Sequence, residues 1–249
     1  MLRIITLNPK GGSGKSTIAT NLASYFASRG KITSLLDCDP QGSSNFWLRQ
    51  RPEDAPTIES LADTPGYMRS TRTWLTTPRR GTQVQIIDTP ARPDLVAMGD
   101  CLRTADHILI PVLPSEMDMD VARRFVGELL RTVKLPNPER SVGTCANRTR
   151  PDCQMSRQLE SFLEELPVRH IATFRDSPHY AHACARGQGL FDSDEAFEDQ
   201  LHWQPLLSWL DPQHTPIMMP AFTSRKAATI NVRRRQSRPG ARSRMRNAI

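Results

Sequence analysis

Residues 8–17, Asn-Pro-Lys-Gly-Gly-Ser-Gly-Lys-Ser-Thr, constrain the fold more than any other stretch of this chain. They lie between an apolar run at residues 2–7 and apolar residues at helical spacing over 18–26, which predicts strand, glycine-rich turn and helix. This order is typical of a phosphate-binding loop, because glycines let backbone N–H groups converge on an anion at the positive end of a helix. We expect Lys15 to neutralise phosphate charge and the Ser16 hydroxyl to reach magnesium.

The length of 249 residues is enough for one α/β domain with some chain left over. No run of about eighteen apolar residues occurs, and Met1 leads directly into the first apolar run. We therefore expect a cytoplasmic protein without a membrane partner. The cysteines are scattered and form no C-x-x-C pair, which argues against disulfides and against a zinc or iron–sulfur site. We expect reduced thiols, mostly buried, at Cys38, Cys101, Cys145, Cys153 and Cys184.

The net charge of +7 is concentrated near the C-terminal end of the chain. Residues 221–249 contain nine basic and no acidic residues, which leaves 24 basic and 26 acidic residues, a net charge of −2, for the rest. Prolines interrupt any helix after residue 211, so we expect a folded domain over 1–211 and a disordered basic tail over 212–249. Such a tail binds polyanions by releasing their counterions. Its basic residues are Arg225, Lys226, Arg233, Arg234, Arg235, Arg238, Arg242, Arg244 and Arg246.

Two further apolar runs end in carboxylates. Residues 32–36 precede Asp37-Cys38-Asp39-Pro40-Gln41-Gly42, and residues 84–87 precede Asp88. Side chains two apart on a strand point to the same side, so Asp37 and Asp39 face one way. Ligands of doubly wound sheets lie outside the carboxyl ends of the strands, where all three acids would meet bound phosphates. A turn capped by Asp39 is the alternative for the first pair.

Apolar runs also occur at residues 107–112, 142–146 and 170–174, separated by helical patterns. The alternation predicts an α/β fold in which a doubly wound, mostly parallel sheet is flanked by helices. Helices are expected over residues 43–50, 153–166 and 195–210, whereas residues 51–80 give no clear pattern. Another helix begins near residue 114, with Ser115 as its N-cap and Asp118 as the reciprocal partner.

The motifs resemble those of the ParA/MinD family of ATPases, and the similarity covers residues 2–210. Lys-Gly-Gly-x-Gly-Lys-Ser-Thr resembles the family's deviant Walker A motif, in which Lys10 is the signature residue; Pro9 stands where the strict motif has glycine. Asp-x-Asp-Pro-Gln-Gly resembles the Walker A′ motif, and Asp88 matches Walker B. The chain is most similar to short ParA-type partition ATPases that lack an N-terminal helix-turn-helix domain.

The resemblance implies a P-loop NTPase that hydrolyses ATP with Mg²⁺. Asp39 would position or activate the attacking water, while Ser16, Asp37 and Asp88 would hold magnesium or support its shell. Asn147 would pair with the base and Arg175 would lie near base and ribose, although Asn147 could also merely start a loop. The residues expected to cradle the nucleotide are Lys10, Gly11, Gly12, Ser13, Gly14, Lys15, Ser16 and Thr17.

The resemblance also implies a switch. Lys10 would reach the nucleotide of a second copy, so ATP would drive formation of a homodimer that hydrolysis reverses. In the family such dimers bind DNA without sequence preference, associate with the nucleoid and meet a ParB-like or other cargo adaptor. Here DNA would be contacted either by the tail or by surface arginines such as Arg148, Arg150, Arg175 and Arg186.

Other functions of the same ATPase remain open. One rival positions a cargo other than plasmid or chromosome, such as conjugation machinery, and the sequence does not separate it from partition. MinD-like membrane cycling would require a C-terminal amphipathic helix, but the proline-broken tail lacks an apolar face. A reductase-like relative would require paired cysteines for an iron–sulfur cluster. A protein that binds the nucleotide without hydrolysing it would release no phosphate.

Overall fold

A computed structural model describes residues 1–61, 78–214 and 216–217 of the chain. The described residues form one seven-stranded sheet in which each neighbouring pair of strands is parallel, in the order β3-β2-β4-β1-β5-β6-β7. The strands are β1 Leu2–Thr6, β2 Thr33–Asp37, β3 Ile58–Ser60, β4 Val84–Asp88, β5 His107–Val112, β6 Val142–Thr149 and β7 Arg169–Arg175. The predicted α/β, P-loop-type parallel sheet is confirmed.

Within the described residues, helices follow β1, β2, β4, β5 and β6 and cover both faces of the sheet. Strands β2 and β4 are buried throughout, which explains why they read as continuous apolar runs rather than alternating ones. The helices are α1 Lys15–Ser28, α2 Ser43–Arg49, α3 Gly99–Arg103, α4 Glu116–Thr132, α5 Pro138–Ser141, α6 Gln154–Glu164, α7 Pro178–Ala185, α8 Phe197–Leu201 and α9 Gln204–Leu210.

Two hydrophobic cores lie on opposite faces of the sheet. On one face, α4 and α6 pack against β5 and β6 through residues such as Phe125 and Leu159. On the other, α1, α2 and α9 contribute Leu22, Trp47 and Leu206. Because α1 is buried along nearly its whole length, the phosphate loop that precedes it is fixed to the centre of the fold.

The longest elements agree with the sequence patterns, and the shortest do not. Strand β3 lies in the stretch 51–80 that gave no pattern, and residues 62–77 of that stretch lie outside the described residues. The helix predicted over residues 195–210 is wrong as a single element: a 3₁₀ turn at Asp194–Ala196 leads into α8 and then α9. Pro205 in the first turn of α9 has no N–H to donate, so a new helix begins there.

All five cysteines are free thiols, but only Cys101 and Cys145 are buried, so the expectation of mostly buried thiols is wrong. Within the described part of the chain, no helix is long and apolar enough to cross a bilayer. The predicted tail lies almost entirely outside the described residues, and the boundary at residue 211 stays a prediction.

Candidate functional site

The loop between β1 and α1 is shaped by two glycines. Gly12 and Gly14 have φ angles of 77° and 99°, in the left-handed region that disfavours a side chain. A Cβ atom on Gly14 would also lie 2.1 Å from Asn147 Nδ2, so glycine is required for space as well. Helix α1 begins directly after Gly14, and its first N–H groups have no partner within the helix. The loop therefore offers backbone donors to an anion.

Lys15 is a buried cation at the start of α1, only 6% exposed. Burial lowers its pKa, while the charges of Asp88 and Asp39 oppose that shift. Among the described residues, the side-chain hydrogen bond it makes is to the Lys10 carbonyl oxygen, at 3.1 Å from Nζ. A buried ammonium bonded to a neutral carbonyl still lacks an anionic partner at hydrogen-bonding distance, which a phosphate would supply.

Asp88 lies at the end of β4 and is fully buried. Its Oδ2 accepts a hydrogen bond from Ser44 Oγ at 2.7 Å, and its Oδ1 accepts one from Thr6 Oγ1 at 3.3 Å. Burial raises the pKa of Asp88 to about 6, although hydrogen bonds from Ser16 and Ser44 oppose the rise. A bound cation would compensate this burial and favour the charged carboxylate.

Asp37 and Asp39 organise the loop between β2 and α2. Asp37 is buried, and its two oxygens accept the Asp39 and Asn45 N–H groups at 3.0 and 2.9 Å. Burial raises the pKa of Asp37, and these backbone hydrogen bonds oppose the shift. Asp39 accepts the Gln41 N–H at 2.9 Å and lines the cleft in front of the phosphate loop. Asp37 therefore holds the loop that places Asp39, and its predicted role at magnesium stays a prediction.

A cleft of about 570 Å³ opens in front of the phosphate loop. Its described walls are that loop, residues 39–43 after β2, residues 90–91 after β4, and Arg148. A second pocket of about 240 Å³ is also lined by Thr17 and Arg148, so the two cavities adjoin. Arg148 has a φ of 53°, a left-handed conformation that costs a non-glycine residue about 1 kcal/mol and is enriched at functional sites.

Asn147 and Arg175, both predicted to lie near a base, line the smaller pocket. Asn147 Nδ2 donates to the Ser13 carbonyl at 2.9 Å, and its Oδ1 accepts the Arg148 N–H at 3.0 Å. Arg175 Nε donates to the buried Asp199 at 2.9 Å. Asn147 thus fixes the phosphate loop while facing the pocket, and contact with a base stays a prediction for both side chains.

Lys10 points away from the cleft that Lys15 faces. Its Nζ donates to Asp118 Oδ2 at 2.6 Å, and Asp118 is 7% exposed. The predicted N-cap of α4 is confirmed, since the Asp118 N–H donates to Ser115 Oγ at 3.1 Å. The Asp118 carboxylate accepts its reciprocal bond from the Ser115 hydroxyl rather than from the Ser115 N–H, which donates to the Leu113 carbonyl, and the same carboxylate binds Lys10.

The strand order explains why these groups meet. Strand β1 is central among the seven described strands, so its loop lies between the ends of β4 and β5. Asp37 and Asp88 end β2 and β4 on one side, and Asp118 and Asn147 come from the β5 and β6 side. Since neighbouring strands are parallel, residues as distant in sequence as Ser13 and Asn147, 134 positions apart, meet at one edge of the sheet.

A protein-family model described as the CobQ/CobB/MinD/ParA nucleotide binding domain matches residues 4–191. The chain belongs to this family. Its sequence is similar to the maintenance of carboxysome distribution protein A of Halothiobacillus neapolitanus, with 29% identity over 187 residues, covering 74% of this chain and 84% of the relative.

Two solved structures show the same fold. The ATP complex of McdA from Cyanothece superposes with a TM-score of 0.64 at 18% identity, covering 88% of this chain and 99% of that one. The septum site-determining protein MinD of Pyrococcus horikoshii, complexed with Mg-ADP, gives a TM-score of 0.66 at 17% identity, covering 84% and 96%. At these identities the likeness establishes the ParA/MinD fold, and the nucleotides are properties of those proteins.

The residues of this ParA/MinD-family chain fit a magnesium nucleotide. Lys15 is a buried cation that lacks a carboxylate at hydrogen-bonding distance among the described residues, and Gly14 leaves no room for a side chain. Phosphates would lie against Lys15 and the loop amides, and Ser16 and Asp88 would hold the cation. The cation would offset the negative charge that the phosphates and the buried carboxylate bring together.

The sequence did not reveal two residues that shape the site. Asn8 Nδ2 donates to the Pro111 carbonyl at 2.6 Å, and Asn8 Oδ1 accepts the Lys10 N–H at 2.7 Å, so Asn8 fixes the loop to β5. Ser44 contributes the hydroxyl that bonds Asp88. Both are small polar residues next to recognised motifs, and this proximity was the available signal. Neither partner could be named without the strand order.

Proposed function

We propose that this chain is a magnesium-dependent ATPase that dimerises with ATP, binds DNA without sequence preference and positions a cargo with the help of a partner protein. The buried Lys15 carries the proposal, because its charge faces a cleft that also holds Asp39 and adjoins Asp88. Family membership and the fold shared with an ATP complex and a Mg-ADP complex support it.

Different residues of the cleft have different roles in the proposed hydrolysis. Lys15 and the loop amides balance the negative charge of the phosphates, and Gly14 lets Asn147 pack against the loop that carries those amides. Ser16 and Asp88 would hold a magnesium ion, which would supply further charge neutralisation. Asp39, placed by the backbone bonds that Asp37 accepts, orients the attacking water at the open side of the cleft.

Three observations support a second copy as the dimer partner. The Lys10 side chain is outside the set of described residues that line the cleft of its own chain. Large apolar side chains are exposed after three of the strands, namely Phe46 after β2, Val96 after β4 and Met117 after β5. Each follows the carboxyl end of its strand by five to nine positions, and residues just after the ends of β2 and β4 line the cleft. A copy docked against these strand ends would cover them and bring Lys10 to the other nucleotide.

DNA binding is proposed from charge. Four surface arginines are candidates for contact with DNA, and within the described residues all except Arg148 pair with carboxylates. The pairs are Arg150 with Asp176 at 2.7 Å, Arg175 with Asp199 at 2.8 Å, and Arg186 with Glu195 at 2.9 Å. This pairing weakens the case for a folded arginine surface and favours the basic residues between 225 and 246 as the polyanion contact. Association with the nucleoid follows from such binding.

The similarity to a carboxysome distribution protein bears on the cargo. It extends over 74% of this chain, which favours positioning of a large protein assembly over plasmid or chromosome partition. Conjugation machinery is another cargo of the same kind. The adaptor would accordingly be a protein carried by that assembly, with a ParB-like protein as the corresponding partner if the cargo is DNA.

The deciding experiment measures oligomeric state and DNA binding of the full chain without nucleotide, with ADP and with ATP, each with Mg²⁺. We expect a dimer and the tightest DNA binding with ATP, and a monomer with ADP. Lys15→Ala should abolish nucleotide binding, because the buried cation is lost, and should leave the protein monomeric in all three conditions. Released phosphate is measured in the same samples.

Equal behaviour of the wild type in ATP, ADP and no nucleotide would contradict the switch. A wild type that binds ATP and dimerises but releases no phosphate, even with DNA, would contradict hydrolysis alone. Lys134→Ala serves as the control, since this lysine is exposed and lies after α4. It should respond to nucleotide as the wild type does.

A further inference from the structure

The ion pair between Lys10 and Asp118 is fixed at its acidic end. Asp118 is 7% exposed, and its Oδ2 accepts hydrogen bonds from both Lys10 Nζ and the Ser115 hydroxyl. Its own N–H donates to Ser115 Oγ at 3.1 Å, which locks the first turn of α4. The positive end of this 17-residue helix further favours a carboxylate in its first turn. Asp118 therefore has one well-defined position.

Lys10, the basic partner of this ion pair, has its backbone fixed by hydrogen bonds. The Lys10 N–H donates to Asn8 Oδ1 at 2.7 Å, and Asn8 is bonded to the Pro111 carbonyl of β5. The Lys10 carbonyl accepts hydrogen bonds from Lys15 Nζ at 3.1 Å and Ser13 Oγ at 3.2 Å. With the backbone held on both sides, the direction of the Lys10 side chain is set by what its ammonium binds, and that is Asp118.

The direction of this side chain matters for function. Asp37, Asp39 and Asp88 lie on the β2 and β4 side of the phosphate loop, whereas Asp118 lies on the β5 side. Three carboxylates near the cleft would otherwise attract the Lys10 ammonium. Asp118 draws it the opposite way, next to the exposed Met117 at the start of α4. Lys10 is 36% exposed there, so its ammonium is still accessible from outside.

We propose that Asp118 is a positioning residue, which holds the Lys10 ammonium out of its own cleft and presents it to the nucleotide of a second copy. This inference rests on the proposed ATP-dependent dimer. Asp118 itself touches neither nucleotide. Its carboxylate keeps the lysine extended in the dimer as well, because the ammonium has three N–H donors and can bond Asp118 and the phosphates of the partner's nucleotide together.

A double-mutant cycle tests this role with wild type, Asp118→Asn, Lys10→Ala and the double variant. Hydrogen bonds to charged groups contribute about 1.5–3 kcal/mol, so Asp118→Asn is expected to weaken ATP-dependent dimerisation by roughly 10-fold or more. Lys10→Ala should weaken it at least as much. In the Lys10→Ala background, Asp118→Asn should have no further effect, because there is no ammonium left to position.

A variant that failed to fold would lose its affinity for ADP, so this affinity serves as the control for folding. Measured on the monomer, it should differ by no more than about twofold between proteins that differ only at position 118, since Asp118 is not among the described residues that line the cleft. Asp120→Asn is the matched control. Asp120 lies on the same helix but is exposed and paired with Arg124, so its loss should leave dimerisation unchanged.

Asp118→Glu is a second test, which does not depend on correct folding of the Asp118→Asn variant. It keeps the charge but displaces the carboxylate by one methylene, and we expect roughly a threefold loss of dimerisation with unchanged ADP affinity. Wild-type dimerisation in Asp118→Asn and Asp118→Glu, or an equal loss with and without Lys10, would overturn the positioning role. A wild type that does not dimerise with ATP would instead overturn the proposed switch, which distinguishes the two failures.

Discussion

Asp39 stands at the open side of the cleft, on a loop that Asp37 fixes by accepting two backbone N–H groups. We predict that Asp39→Ala retains ATP binding, because Lys15 and the phosphate loop are untouched, but stops hydrolysis and leaves the dimer trapped on DNA. Phosphate release and the lifetime of the DNA complex measure this. Normal turnover in the variant would contradict the role assigned to Asp39.

Asp88 permits a prediction about pH. Burial raises its pKa from an ordinary value of 3.8 to about 6. As pH rises between these values, the unfolded chain has already lost the proton that the folded chain still holds, so the free energy of unfolding falls. Asp88→Asn removes the titrating carboxyl group, so its free energy of unfolding does not fall with pH for this reason. In buffer without magnesium and nucleotide, the variant should be more stable than the wild type at pH 7.5 by about 1–3 kcal/mol.

Urea unfolding at pH 5 and pH 7.5 measures the effect. The stability gap between Asp88→Asn and wild type should be larger at pH 7.5 by about 1 kcal/mol, because one pH unit on a titrating group corresponds to about 1.4 kcal/mol. Asp54→Asn, at an exposed position, is the control and should show no gap at either pH. A gap for Asp88→Asn that is constant with pH would exclude the raised pKa as its cause.

At the scale of elements, helix α2 links the Asp39 loop to the segment around residue 190. Arg51, just after α2, pairs with Asp192 at 2.8 Å, and the two side chains are 6% and 3% exposed. Asp192 also accepts the Ser24 hydroxyl of α1 and the Gly189 N–H. Burial alone would raise the pKa of Asp192, but these hydrogen bonds and the Arg51 charge hold it below its usual value.

We predict that Arg51→Ala destabilises the fold by about 3 kcal/mol, because Asp192 is left buried without its counter-ion. Chemical denaturation measures the change. Arg49→Ala is the matched control, since Arg49 is exposed on α2, and we expect a change within about 0.5 kcal/mol. Equal effects of the two substitutions would show that the buried pair contributes no more than a surface arginine.

At the scale of the whole molecule, the concentration of positive charge near the C-terminal end leads to a prediction about DNA binding. Removing residues 222–249 deletes all nine tail cations and changes the net charge from +7 to −2. DNA binding should weaken, and its salt dependence should flatten by about 0.9 in logarithmic slope for each DNA phosphate that the tail no longer neutralises. Titrations at several salt concentrations measure this.

A second tail variant separates charge from length. Replacing the nine tail cations by glutamine keeps every residue position and should flatten the salt dependence as the deletion does. Residues 1–217 are unaltered in both variants, so ATP-dependent dimerisation should persist. An unchanged salt slope in both would assign the tail to a partner other than DNA.

Local patterns determined much of this protein. The phosphate loop, the acids at the ends of β2 and β4, and the parallel α/β fold follow from apolar runs, glycines and strand-end carboxylates, because these signals act over a few neighbouring residues. Strand β3 and helix α5 have three and four residues, too few for a period to show. The break before α9 depends on Pro205.

Tertiary structure decided which distant groups meet. The sequence indicated Asp118 as a partner of Ser115 three residues away, and it is; its carboxylate also binds Lys10, 108 positions distant, because β1 and β5 are neighbours in the sheet. In the same way Ser44 bonds Asp88, and Asn147 holds the Ser13 carbonyl. Strand order is fixed by packing of the whole chain, so the residue types were readable from the sequence and their partners were not.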